Sequence, residues 1–351
     1  MRQAIIIGDI LCTNHIHGIS RYAYEIIKEL DPLVVNLKVS ICYPKGEKVF
    51  FDFLENISLI PLEVKKGRHF RKDVIKKYVK KTNGFVIDFG PGFTYYKKSI
   101  VTFHDVRPLE KLGFDSVKEN YKLRLMLLLA KYHKSTQVIT VSNYQKNRIH
   151  ILANFPLDRI EVIGNGWEHV LNIKPDEKIF DKFPMIRKEE YCYALGSVAP
   201  HKNYQWIYEV AKNNKDRQFV VAGNIDLANW GIDDSGWELE NIIFTGYISD
   251  EENVALMKAC KVFVHPSKYE GFGIPPLEAI ALGKNAVISN ATCLPEVFGS
   301  AVEYFNPDDY SIDLEQYNGD RKYQTNELLK KHSWSISAKK WMEIIHKMAV
   351  N

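Results

Sequence analysis

Glu270 and Glu278 bracket a stretch whose residue types and spacing suit the handling of phosphate: Glu270-Gly271-Phe272-Gly273-Ile274-Pro275-Pro276-Leu277-Glu278. Gly271 and Gly273 allow backbone angles closed to other residues and let a ligand approach the chain closely. Pro275 and Pro276 suit the first turn of a helix, and Leu277, Ala279, Ile280 and Leu282 continue its apolar pattern. The first amides of such a helix lack intrahelical acceptors and lie at the positive end of its dipole. A diphosphate is the natural occupant. Carboxylates beside it point to a ligand that also carries hydroxyls, as a nucleotide-sugar does. Lys202 stands at the start of another helical pattern. A cation there is unfavourable unless an anion lies near, which groups Lys202 with the phosphates. His104 and Asp105 follow the apolar run 99–103. A histidine at the carboxyl end of a parallel strand faces the ligand crevice.

Each of these residues needs a strand that ends just before it. Val262, Phe263 and Val264 form a short apolar run that Pro266 stops. Residues 191–195 lead in the same way to Gly196-Ser197-Val198-Ala199-Pro200-His201-Lys202-Asn203 and a helix from Tyr204. Residues 4–7 lead through a loop to Gly18 and a helical pattern with Ile19, Ala23, Ile26, Ile27 and Leu30 on one side. Repeated strand, loop and helix predicts a doubly wound α/β chain. The G-x-G-x-x-G fingerprint is missing, which argues against a dehydrogenase. Strands are also expected at 34–43, 57–64, 84–89, 137–141, 160–163, 218–222, 241–245 and 286–289. Helices are expected at 117–133 and 335–348, with Ser142 and Ser249 as N-caps of two more. The stretch 170–184, with Pro175 and Pro184, reads as an interdomain linker.

The 351 residues suffice for two domains of ordinary size, and a hydrophobic share of 46% is that of a globular protein. The formal charge of +4 is mild. The cations Lys65, Lys66, Arg68, Arg71, Lys72, Lys76, Lys77, Lys80 and Lys81 are clustered against Asp73 alone. Such a run is either a solvated helix face or a patch for anionic lipid headgroups. Aromatic interleaving is thin, so nucleic acid is not expected. Cys12, Cys42, Cys192, Cys260 and Cys293 are scattered, which suits free thiols in a reducing compartment and no zinc site. Asp233-Asp234 is not a convincing metal pair, and Trp230 and Trp237 lie in a loop insertion. The apolar start is too short for a signal peptide. No segment reaches the roughly 18 apolar residues needed to span a bilayer. The longest apolar run, 125–130, reads as one face of a core helix.

The stretch from Glu270 to Glu278 resembles the E-x7-E motif of the family 4 retaining glycosyltransferases. Further likenesses are His17-Gly18-Ile19-Ser20-Arg21-Tyr22 to G-x-x-R-Y, residues 102–105 to T-x-H-D, and residues 196–203 to G-S-x-x-P-x-K-N. Asn165-Gly166, Leu294-Pro295-Glu296-Val297 and Ser333-Trp334 also have family counterparts. Gln145 stands where a second serine is usual, and Ser197 where many relatives place an arginine. The resemblance is strongest over 191–307 and weakest over 31–98.

It implies the GT-B fold: two Rossmann-like doubly wound domains facing across a cleft, with the C-terminal helix crossing back to the first. The expected domains are 1–170 with 335–351, on the acceptor side, and 185–334, binding the nucleotide-sugar. Glu270, Lys202 and His104 are the expected catalytic residues. Gly18, Ser197, Asn203, Tyr247, Gly271, Phe272, Gly273, Ile274 and Glu278 are expected at the donor, with Glu278 on the ribose. Asp105, Arg21 and Asn165 are expected on the acceptor side. No cofactor or metal ion is expected. The partners are a nucleoside diphosphate sugar and a glycan or polyprenyl-diphosphate-linked acceptor, in a cytoplasmic protein touching the inner membrane through residues 65–81. A nucleotide-sugar epimerase and a non-catalytic nucleotide-sugar-binding protein fit the same residues.

Overall fold

The computed structural model describes residues 1–13, 16, 18–49, 51–92, 95–196, 199–224, 239–314 and 325–350. They form two compact units, Met1–Asn165 with His332–Asn351, and Gly166–Lys331.

The first unit is built on a seven-stranded sheet in the order β3-β2-β1-β4-β5-β6-β7. The strands are β1 (Ala4–Ile7), β2 (Val39–Pro44), β3 (Ser58–Leu62), β4 (Phe85–Asp88), β5 (Lys98–Thr102), β6 (Ser135–Thr140) and β7 (Ile160–Val162). All pair in parallel. Parallel strands carry helices on both faces and so read as unbroken apolar runs; β1 and β4 are buried along their whole length. The chain adds strands on one side of β1 and then returns to the other side at β4. The two therefore form the switch point, at whose carboxyl ends ligands bind in such sheets. The final helix, Trp334–Val350, packs along Gly18–Leu30. Trp341 Nε1 donates to the Tyr22 hydroxyl at 2.8 Å, and Ser337 Oγ donates to Gly164 O at 2.8 Å.

The second unit has a six-stranded parallel sheet in the order β10-β9-β8-β11-β12-β13. Its strands are β8 (Tyr191–Leu195), β9 (Gln218–Ala222), β10 (Ile242–Gly246), β11 (Val262–His265), β12 (Ala286–Ser289) and β13 (Glu303–Phe305). The switch point lies between β8 and β11. Trp206, on the helix after β8, stacks on Phe305 with ring centroids 4.1 Å apart inside this unit's core.

Both expected serine caps form: Ser142 accepts from Gln145 N, and Ser249 shares a capping box with Glu252. Other local expectations change. The strand expected from 34 begins at Val39, because Asp31–Leu33 continues the preceding helix as a 3-10 turn. Residues 170–184 contain part of the turn Glu168–Asn172 and the short helix Ile179–Lys182, and they belong to the second unit. The apolar run 125–130 is not one core face. Met126, Leu127 and Ala130 are buried, whereas Leu125 and Leu128 point into solvent.

Candidate functional site

In the second unit, the loops that leave β8 and β11 at the switch point are fastened together. His201 O accepts from Lys268 N at 2.7 Å and from Ser267 Oγ at 3.2 Å. Asn203 adopts left-handed backbone angles and donates its Nδ2 hydrogens to Pro266 O at 3.1 Å and Pro307 O at 2.9 Å. These bonds set Lys202, from the first loop, against Glu270, from the second. Lys202 Nζ lies 2.6 Å from Glu270 Oε1. His265 Nε2, at the end of β11, lies 2.8 Å from the same oxygen. Thr292 Oγ1 accepts from Glu270 N at 3.1 Å and donates to Glu270 O at 3.2 Å, so the backbone beneath the carboxylate is clamped as well. Burial raises the cost of the Glu270 charge. The Lys202 ammonium and the His265 bond outweigh it and hold the carboxyl well below the usual carboxylate range. Glu270 is a fixed anion next to a fixed cation.

The helix Ile274–Ala281 follows. Gly273 caps it at φ 99°, where a side chain is strained, and a Cβ there would lie 2.8 Å from Leu294 Cδ2. Pro275 and Pro276 have no N–H, so two of this helix end's usual orphan donors do not exist. Gly273 and Ile274 supply those that do. Phe272 turns into the core. Glu278, one turn along, places Oε1 2.8 Å from Nε2 of buried His169. Asn203, expected at the donor, serves the loops as described. Tyr247 stands exposed after β10. Ser197, Trp230, Asp233, Asp234 and Trp237 lie outside the described residues.

In the first unit, His104 follows β5, and its Nε2 lies 2.7 Å from Phe89 O. A carbonyl only accepts, so Nε2 carries the proton. Burial pulls the imidazolium down to about 4 against the opposing pull of that carbonyl. At neutral pH the ring is therefore uncharged, with its lone pair on Nδ1. Tyr22 packs edge-on against it at 4.9 Å, and Trp341 packs on Phe89 at 4.8 Å. Asp105 Oδ1 accepts from Arg107 N at 3.1 Å. Arg21 lies 3.5 Å from Glu25 along the first helix, which Gly18 opens at φ 33°. Asn165 is buried, and its Oδ1 has no hydrogen-bond partner among the described residues. His15, His17 and Phe93 lie outside the described residues.

Sequence reasoning missed an ion triad at this unit's switch point. Arg71 donates through Nε and Nη2 to both oxygens of Asp9, after β1, at 2.7 and 2.8 Å. Its Nη1 donates to Asp88, the last residue of β4, at 2.6 Å. Burial raises the Asp88 carboxyl to about 6, against the pull of Arg71. A Cβ at position 92 would overlap Asp88 Oδ2 and Arg71 Nη1, so a side chain there would push this ion pair aside. Arg71 gave no signal because it sits in a run of solvated cations. His265 and His169 were also missed; only the place of His265 at a strand's carboxyl end marked it. Among the described residues, no group of three or more His, Cys, Asp or Glu side chains is placed to hold a metal ion.

Residues 175–321 match the family model described as Glycosyl transferases group 1. The chain is 28% identical over 281 residues to the serotype-specific mannosyltransferase WbdA of Escherichia coli, covering 71% of this chain and 32% of that one. It thus spans about a third of that relative's length. Among solved structures, it resembles the sucrose-phosphate synthase tll1590 of Thermosynechococcus elongatus, with a TM-score of 0.72, 14% identity and 99% of each chain covered. It also resembles Anabaena Alr3699/HepE in complex with UDP and glucose, with a TM-score of 0.68, 14% identity, and 99% of this chain and 100% of that one covered. The chain has the α/β GT-B fold of two Rossmann-like units, and its residues 175–321 carry the pattern of the group 1 glycosyl transferases.

Proposed function

We propose that this protein is a retaining glycosyltransferase that moves a hexose-type sugar from a nucleoside diphosphate sugar to a growing cell-surface polysaccharide. The observation that carries this reading is the Lys202–Glu270–His265 cluster at the switch point of the second unit. Glu278 takes the ribose and Glu270 the sugar hydroxyls. Lys202, with the amides of Gly271, Gly273 and Ile274, stabilises charge that grows on the departing phosphate. Each well-placed donor of this kind is worth about 3–4 kcal/mol. The acceptor oxygen bonds to the anomeric carbon on the face from which the phosphate leaves, and the phosphate takes the acceptor's proton. No side-chain base and no metal ion are needed. His104, Asp105, Arg21, Asn165 and Gly18 belong to the acceptor side. The relative named a mannosyltransferase makes mannose the first sugar to try.

The acceptor is a glycan or a polyprenyl-diphosphate-linked saccharide, and the protein works at the cytoplasmic membrane face. In support, a groove of about 710 Å³ beside residues 65–81 has an apolar floor of Leu62, Val74 and Tyr78 and a rim that includes Lys65, Arg68 and Lys76. Thermal-shift screening of GDP, UDP, dTDP and ADP, then of their sugars, identifies the donor. Glu270→Ala is then expected to lower kcat/KM about a thousandfold or more while the fold survives. Near-normal transfer by this variant would remove the reading. Donor turnover with no acceptor present would favour an epimerase instead.

A further inference from the structure

The helix Val117–Tyr132 is apolar on two opposite sides. Leu123, Met126, Leu127 and Ala130 are buried against β5 and β6. The other side carries Val117 (88% exposed), Tyr121 (69%), Leu125 (36%), Leu128 (60%) and Tyr132 (79%). At 100° per residue these five fall within an arc of about 80°, a stripe about 24 Å long facing away from the core. Arg124 and Lys131 run along one edge of the stripe, and Lys118 and Lys122 along the other. The single acid on the helix, Glu119, is held in a capping box with Ser116 at its start. A soluble helix does not keep five apolar side chains in a row in water without a partner.

We propose that this stripe is a docking face that lies on an anionic membrane surface. The flanking charge selects this occupant. A second copy laid stripe against stripe would bring like cations together on both edges, whereas anionic headgroups neutralise both. Tyrosines at the stripe's two ends suit the headgroup boundary, where one end of the ring is apolar and the other wet. The sheet places a second basic feature in the same layer. Paired residues of a parallel sheet project to the same face. Ile5 pairs with Val86, and Val86 with Ser99, two residues before Val101. Ile5 and Val86 pack under Phe70 and Ile75 of the basic segment, and Val101 packs under Leu123 and Met126. The basic segment and the stripe therefore cover one face of one rigid sheet. This proposal does not depend on the assignment of the donor site.

The test is co-sedimentation of the full chain with vesicles at about 0.15 M salt. One set is pure phosphatidylcholine, the other an equimolar mixture with phosphatidylglycerol. The parent protein is expected to bind the mixed vesicles and not the neutral ones. A Leu125→Glu, Leu128→Glu double variant is expected to bind about tenfold more weakly or worse, with unchanged thermal unfolding because both side chains are solvent-facing. Tyr132→Trp is expected to shift its fluorescence to the blue on mixed vesicles. Three results would each overturn the proposal: no vesicle binding by the parent, undiminished binding by the double variant with loss only in Lys76→Glu, Lys77→Glu, or a concentration-dependent dimer of the parent that the double variant abolishes.

Discussion

The two sheets share one topological device and fill it differently. In the second unit, the carboxyl ends of β8 and β11 carry Lys202, His265 and Glu270, and one cation and one histidine converge on a single carboxylate. In the first, the ends of β1 and β4 carry Asp9 and Asp88, and two carboxylates share one guanidinium. Glu270 is thereby held below the carboxylate range, while burial lifts Asp88 above it. A switch point supplies an address for a ligand, and the side chains supplied by the loops decide which chemistry it performs. Lys202 lies against a carboxylate held below the usual range, an arrangement that suits the proposed approach of a donor phosphate. Arg71 is bonded to two carboxylates and ties the chain after β1 to the end of β4.

Four measurements would break or sharpen this contrast. The largest effect is expected from Lys202→Ala, which removes the ammonium 2.6 Å from Glu270 Oε1. A fall in kcat/KM of about a thousandfold or more is expected, with KM for donor changing little. A change below tenfold would put Lys202 on the same structural footing as Arg71. Arg71→Ala should do the reverse. It strands a buried carboxylate at a cost of about 3 kcal/mol, read as a lower unfolding midpoint.

The third measurement is the pH dependence of stability, where the two carboxylates have opposite signs. Glu270 has a lowered folded pKa, so its contribution is present above the unfolded value near 4.3 and is lost as pH falls below it. Asp88 has a raised folded pKa, so stability falls as pH rises from about 4 to about 6. His104, whose imidazolium is disfavoured, acts against Asp88 in that window, so the readout is the difference between variant and parent. Asp88→Asn should remove a slope worth about 2 kcal/mol between those values, and Glu270→Gln should flatten the curve only at lower pH. Equal slopes in both variants would end the contrast. The smallest effect belongs to Trp341→Phe, which deletes the bond to the Tyr22 hydroxyl. A loss of about 1 kcal/mol is expected in thermal unfolding. Histidine NMR should find His104 titrating near 4 in the parent and lower still in this variant, because Trp341 also packs on Phe89, whose carbonyl favours the charged ring.

What can be read along the chain is what local chemistry decides. Buried parallel strands announce themselves as apolar runs, Ser142 and Ser249 as caps, and the glycines and prolines of 271–276 as a turn entering a helix. Glu270, Lys202 and His104 were marked because each stands at a strand end or helix start, where an exposed backbone dipole makes its charge or ring unusual. The association of Lys202 with Glu270, 68 residues apart, depends on β8 lying beside β11. The pairing of Glu278 with His169 and the capture of Arg71 by Asp9 and Asp88 follow in the same way from tertiary packing, because one lysine or arginine among many carries no label for the partner it will meet. The stripe on Val117–Tyr132 was hidden for the converse reason. A run of leucines looks like core until the sheet decides which side of the helix it covers, and only the side left over faces water.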